Sequence, residues 1–236
     1  KAVLDLLKAK NGLADTEQME PVEATSKQIL RAHSQSVLER VQGIALRGGG
    51  QIDADTYMTD QSYELGLLAA GTVSGAALSI ANGDSRNGYA FVRPPGHHAE
   101  HNRSMGFCLF NNIAVAARDV QEHSNCKRLM IIDIDVHHGN GTQDIFYGDD
   151  SVLFVSTHQY GSWFYPGTGG ANELGVKTAT RCNFNVPLMA GVGDDGYIDV
   201  LDQLIYPVAK QYAPEMILIS AGFDAHRSEE HTSELQ

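Results

Sequence analysis

An α/β fold with a mainly parallel central sheet is predicted for this 236-residue chain by three features. Runs of strand length, "RLMIIDIDVH" at 128–137, "SVLFVSTHQ" at 151–159 and "EMILISAGFD" at 215–224, open on stretches that are apolar throughout rather than alternating, as strands buried on both faces are. Stretches of helical period lie between such runs, and that order suits a parallel sheet covered on both sides. Each run also closes in acids, histidines or glycine, at the strand ends where ligands gather in sheets of this type.

In chain order, residues 25–46 read as a helix opened by a Thr25 or Ser26 cap, and Gly48–Gly50 as a loop. "SYELGLLAAGTVSGAALSIANG" at 62–83 reads as a helix that is apolar or small on nearly every side, suited to packing inside a domain. "GYAFVRPPG" at 88–96 reads as a further strand, and 107–122 as a third helix. Tyr197, Val200, Leu201, Leu204, Ile205 and Val208 follow the helical repeat. Asp194 and Asp195 favour that helix's N-terminus, and Pro207 is positioned to kink it. No internal repeat or linker is visible, so a single domain is expected.

The composition, 42% hydrophobic and 19% charged, is enough to bury a substantial core. A net charge of -12 argues against a nucleic-acid partner and is compatible with a cationic substrate. Cys108, Cys126 and Cys182 form no CxxC pair, so neither a disulfide framework nor a cysteine zinc site is expected. No unbroken apolar run reaches membrane-spanning length, and the N-terminus lacks a signal-peptide core. A cytoplasmic setting and no membrane association are expected; the oligomeric state is not legible. The last ten residues, "RSEEHTSELQ" at 227–236, match the in-frame translation of a common sequencing-adapter DNA and are expected to be a foreign tail.

The chemistry concentrates in "IDIDVHHGNGT" at 132–142. In an extended segment alternate side chains share a face, which puts Asp133, Asp135 and His137 together. Asp224 closes the other acidic strand, in "SAGFDAH". Asp135, His137 and Asp224 then supply three ligands with room for a fourth, as a catalytic zinc needs; iron or manganese would also fit such oxygen-rich ligation. Helix caps or buried ion pairs are the competing account of these acids. A second cluster, "RPPGHHAEHNRSMGFCLFNN" at 93–112, carries the tandem His97 and His98. Imidazole transfers protons near neutral pH and needs an acid or amide behind it, for which Asp133 and Asn140 are available.

Taken together, "RPPGHHAEHNRSMGFCLFNN", "DIDVHHGNGTQDIFY", "STHQYGSWFYPGTG" and "SAGFDAH", in that order, resemble the zinc-dependent histone deacetylase family, most closely its class II and bacterial deacetylase-like branch. The resemblance runs from about His33 to residue 226. It implies an arginase-like three-layer α/β fold, incomplete at the C-terminus, with residues 1–226 forming a partial catalytic domain. It implies zinc on Asp135, His137 and Asp224, with His98 as general base. His97 would steady charge and protonate the leaving amine, Asp133 would support His97, and Asn140 would support His98. Gly106, Phe107 and Tyr165 would line a tunnel for an aliphatic acyl-amine stem, and Asp55 would sit at its rim. Potassium would bind through main-chain oxygens of Asp133, Asp135, His137, Ser156 and Thr157. The oxyanion donor that this family carries well after the Asp224 motif has no counterpart here, so a poorly active fragment is expected. The activity implied is removal of acetyl or short acyl groups from acetyl-lysine or related acylated amines. The alternatives are an acetylpolyamine amidohydrolase and a non-catalytic acyl-lysine binding module.

Overall fold

A computed structural model describes residues 2–161 and 163–225; the expected foreign tail at 227–236 lies outside the described residues. Helix α1 (Ala2–Ala9) leads through an irregular stretch to α2 (Ser26–Ile29) and α3 (Gln35–Leu46). The single helix expected over 25–46 is therefore divided. Thr25 opens α2 with a capping box, its hydroxyl accepting from the Gln28 N–H while the Gln28 side chain accepts from the Thr25 N–H. The N–H of Ser34, at the start of α3, donates instead to the His101 carbonyl at 2.9 Å. That break turns His33 into the interior, where it is 1% exposed.

Gly49–Gln51, expected within a loop, forms β1, antiparallel to β2 (Tyr57–Thr59). Helix α4 (Ser62–Ala81) is long and apolar enough to cross a membrane by length and composition. In the fold it packs on α5 (Asn112–His123), burying Gly66, Ala69, Ala70, Ser74 and Ala77, and the Ser74 hydroxyl donates to the α5 carboxylate Asp119 at 2.5 Å. The strand expected at 88–96 is absent; Pro94 and Pro95 have no N–H with which to join a ladder. Helix α5 starts five residues later than expected. Phe107 takes a left-handed backbone conformation (φ 64°) incompatible with helix, and Asn111 supplies the cap by accepting from the Ala114 N–H at 3.1 Å.

The second half of the chain builds the sheet. Strand β3 (Leu129–Asp133) is followed by α6 (Asn140–Phe146), β4 (Val152–Gln159) and β5 (Asn183–Leu188). Helix α7 (Asp194–Val200) then passes through a π-helical segment, Leu201–Ile205, into α8 (Tyr206–Tyr212), and β6 (Met216–Ser220) closes the order. The strands lie in the order β5-β4-β3-β6, all parallel. Strand β5 was not expected: Asn183 and Asn185 interrupt its apolar character, and Pro187 is tolerated because the strand is paired on one side only. The π segment ends two residues before Pro207, whose ring would clash with the carbonyl four residues back, that of Gln203, in a regular helix.

Both sheet faces are covered. Leu129, Ile131, Val152, Phe154 and Leu218 join the core built by α3, α4 and α5. Met130, Leu153 and Val155 pack on the other side with Ile205 and Val208. The alternation along β3 sends successive side chains to opposite layers. The fold is thus the three-layer α/β arrangement expected, with the carboxyl ends of β3, β4 and β6 opening at one edge.

Candidate metal centre and active site

Strand β3 is paired on both sides, so Asp133 sits opposite Ser156 of β4 and Ser220 of β6. Past it the chain stays tied down, with the Ile134 N–H donating to the Ser220 carbonyl at 3.0 Å. The next turn is held by carboxylates rather than by sheet. Asp133 accepts from the Asp135 N–H at 3.2 Å, Asp135 from the His137 N–H at 2.8 Å, and Asp224 from the Val136 N–H at 3.1 Å. Each acid therefore both shapes the loop and offers its second oxygen to the site.

Asp135, His137 and Asp224 each present a ligand atom within 4.8 Å of the others. His137 Nδ1 lies 3.0 Å from Asp135 Oδ1 and 2.9 Å from Asp224 Oδ2. Gly222 is required here, because a Cβ at that position would fall 1.8 Å from Asp135 Oδ2. Burial disfavours charge on His137, but hydrogen bonds and attraction from Asp135 and then Asp224 overcome it and push its pKa up to about 9. Burial likewise opposes ionisation of Asp135, yet the neighbouring His97 and His137 hold its carboxyl well below the usual range. Two carboxylates and an imidazole that converge in this way can hold a cation, and the donor set fits a divalent metal with an open coordination position.

The tandem histidines lie beside these residues, 9% and 5% exposed, with ring centroids 3.9 Å apart. His97 Nδ1 is 2.9 Å from Asp133 Oδ2, and its Nε2 lies 3.8 Å from Asp135 Oδ2. His98 Nδ1 is 2.7 Å from Asn140 Oδ1. Burial lowers the basicity of both rings. For His97 the attraction of Asp133 and Asp135 reverses this and raises its pKa to about 9. For His98 burial and the charge on His97 push it down to about 2. Burial raises the pKa of Asp133, opposed by its contact with His97. The surroundings of the two adjacent imidazoles thus move their basicity in opposite directions.

Of the residues expected to line a tunnel, Gly106 packs directly on His98: with φ 58°, it would place a Cβ 2.5 Å from His98 Cδ2. Phe107 next to it is 65% exposed. Asp55 accepts from the Gly106 N–H at 3.3 Å, and Thr56 from the Phe107 N–H at 2.9 Å, so Asp55 braces this turn. Tyr165 stands edge-on to His98, centroids 5.0 Å apart, and its buried hydroxyl has no partner among the described residues. Ser156 and Thr157 are buried beside the loop, with the Thr157 hydroxyl donating to the Asp133 carbonyl at 3.2 Å.

Two further residues contribute that were not singled out from sequence. Phe164 stacks on His137 with centroids 5.1 Å apart and planes 12° apart. Glu100 accepts from Asn140 Nδ2 at 2.8 Å. Both lie inside strings already singled out, "STHQYGSWFYPGTG" and "GHHAEH", but only their spatial partners reveal a role.

Residues 1–235 match the histone deacetylase domain. A "Probable deacetylase" of Methanothermobacter thermautotrophicus is 43% identical over 211 residues, covering 89% of this chain and 62% of that protein. The "Histone deacetylase-like amidohydrolase" of Pseudomonas aeruginosa is 39% identical over 203 residues, covering 86% of this chain and 53% of that one. Among solved structures, the HDA15 HD domain superposes with a TM-score of 0.94 at 38% identity, covering 97% of this chain and 65% of that one. The chain thus spans less than two thirds of the length of these relatives. The match across the described sheet and its polar edge shows that this chain belongs to the histone deacetylase family.

Proposed function

We propose that the protein is a zinc-dependent amidohydrolase that removes acetyl or short acyl groups from acylated lysine side chains or related amines. The observation that carries this reading is a three-residue metal-ligand set beside two buried imidazoles, one backed by the Asp133 carboxylate and the other by the Asn140 amide. When bound at Asp135, His137 and Asp224, zinc supplies Lewis acidity to the acyl carbonyl and to the attacking water.

The remaining work falls to the chain. His98 is neutral, and with Nδ1–H committed to Asn140 its Nε2 is free to take a proton from the attacking water. His97, protonated against Asp133, stabilises developing negative charge and delivers a proton to the departing amine nitrogen. Water adds to the acyl carbon, the C–N bond breaks, and carboxylate and amine leave. Phe107 and Tyr165 flank the approach of the acyl-amine stem. Main-chain oxygens around Asp133, Asp135, His137, Ser156 and Thr157 are proposed to hold potassium and stiffen the loop.

Release of acetate from an acetyl-lysine peptide tests this reading. Zinc-loaded protein turns the peptide over at a low rate, a chelator stops it, and His98→Ala lowers kcat by about 10²–10⁴-fold with KM little changed. Undiminished turnover in His98→Ala removes the acid–base assignment. Zinc-loaded protein that binds the peptide without hydrolysing it is instead an acyl-lysine binding module.

A further inference from the structure

Asn140 can support His98 as a base only if its amide is the right way round. An amide is nearly symmetric in shape, and its orientation is fixed by what surrounds it. Oxygen toward His98 makes Nδ1 the protonated nitrogen and leaves Nε2 free; NH2 toward His98 forces the opposite tautomer and blocks the base.

The far side of Asn140 settles the matter. Its Nδ2 lies 2.8 Å from Glu100 Oε1 and 3.5 Å from Met105 Sδ. A carboxylate and a thioether accept hydrogen bonds and donate none, so only the NH2 end of the amide satisfies them. The oxygen is thereby directed to His98, 2.7 Å away. Glu100 is itself anchored through its backbone, its N–H donating to the Arg103 carbonyl at 2.8 Å and its carbonyl accepting from His33 Nδ1 at 2.9 Å. A cavity of about 190 Å³ lined by Glu100, Asn140, Gln143 and Asp144 adjoins the pair.

We infer that Glu100 is a positioning residue: by holding the Asn140 amide, it fixes the tautomer of His98. The inference rests on His98 being the base of the proposed hydrolase, but its direct consequence is a protonation pattern that can be read without turnover.

The test compares imidazole ¹⁵N shifts of His98 in the whole chain, with thermal melts to establish folding. The starting protein shows Nδ1–H and an unprotonated Nε2. Glu100→Lys puts a donor where the acceptor stood, with the adjoining cavity to receive the longer side chain, so the amide reverses and His98 carries its proton on Nε2. Adding Asn140→Asp restores Nδ1–H, because a carboxylate accepts from both neighbours. In zinc-loaded protein kcat falls about 10²-fold or more in Glu100→Lys at similar KM and recovers in the double variant. A folded Glu100→Lys chain that keeps Nδ1–H, or a double variant that does not regain it, overturns the inference. Where Glu100→Lys does not fold, Glu100→Ala carries the test: a mixture of tautomers supports the role, and an unmixed Nδ1–H population refutes it. The predicted tautomers in a zinc-loaded chain that binds the acetyl-lysine peptide without hydrolysing it would support the positioning role while favouring the binding module over the hydrolase.

Discussion

Adjacent histidines in this chain meet opposite surroundings because their hydrogen-bond partners differ in charge: a carboxylate behind His97, an amide behind His98. The same logic of one ring in one obligatory tautomer operates at His33. Its Nε2 accepts from the Asn111 N–H at 2.8 Å, so Nδ1 carries the proton donated to the Glu100 carbonyl. A second proton would have no acceptor, and burial pushes the His33 pKa from 6.5 down to about 4. Between those values the unfolded chain binds more protons than the folded one. The contribution of His33 is therefore complete above pH 6.5 and is lost as pH falls toward 4. At pH 5 the loss is about 2 kcal/mol. Urea midpoints at pH 7 and pH 5 should diverge more in the wild type than in His33→Gln, which retains a donor and an acceptor but does not titrate; equal divergence refutes this assignment. At this scale the ligand candidates and the tandem histidines were legible because each lies in a compact string. Glu100 and Phe164 were not, since nothing in "GHHAEH" or "SWFYPG" states that Asn140 or His137 will face them.

At the scale of elements, local signals were read well where one pattern dominated and poorly where a tertiary contact decided. Strands β3, β4 and β6 announced themselves by unbroken apolar runs. The break at Ser34 is governed by a carbonyl more than sixty residues away, that of His101. The start of α5 likewise depends on Asn111, which is fully buried and joins three elements. Its side chain caps Ala114 and donates to the Ala99 carbonyl at 3.2 Å and the Thr142 hydroxyl at 3.1 Å. Replacing it removes a cap and strands a buried acceptor next to the histidine loop. Asn111→Ala is predicted to cost about 2–4 kcal/mol in urea unfolding. A change below about 0.5 kcal/mol, the range of an ordinary surface substitution, would show that water or a shifted backbone replaces these bonds.

At the scale of the whole molecule, parallel pairing brings the ends of β3, β4 and β6 to one edge of the sheet, and residues almost ninety positions apart meet there: Val136 N–H and Asp224 Oδ1 are bonded at 3.1 Å. The topology was legible from helices alternating with apolar strands, although β5 escaped because its asparagines and proline obscure the pattern. Family membership and fold follow from the domain match over residues 1–235 and the 0.94 superposition. The candidate metal site at Asp135, His137 and Asp224 is the link between this architecture and the proposed chemistry. It is tested most directly by titrating zinc into metal-free protein against a competing fluorescent chelator, with Asp135→Asn, His137→Ala and Asp224→Asn in parallel. The account predicts one tight site per chain, weakened about 10²-fold or more by each substitution, with protons released on binding as His137 gives up its own. A tight site that survives all three substitutions, or no tight site in the folded wild type, would contradict it.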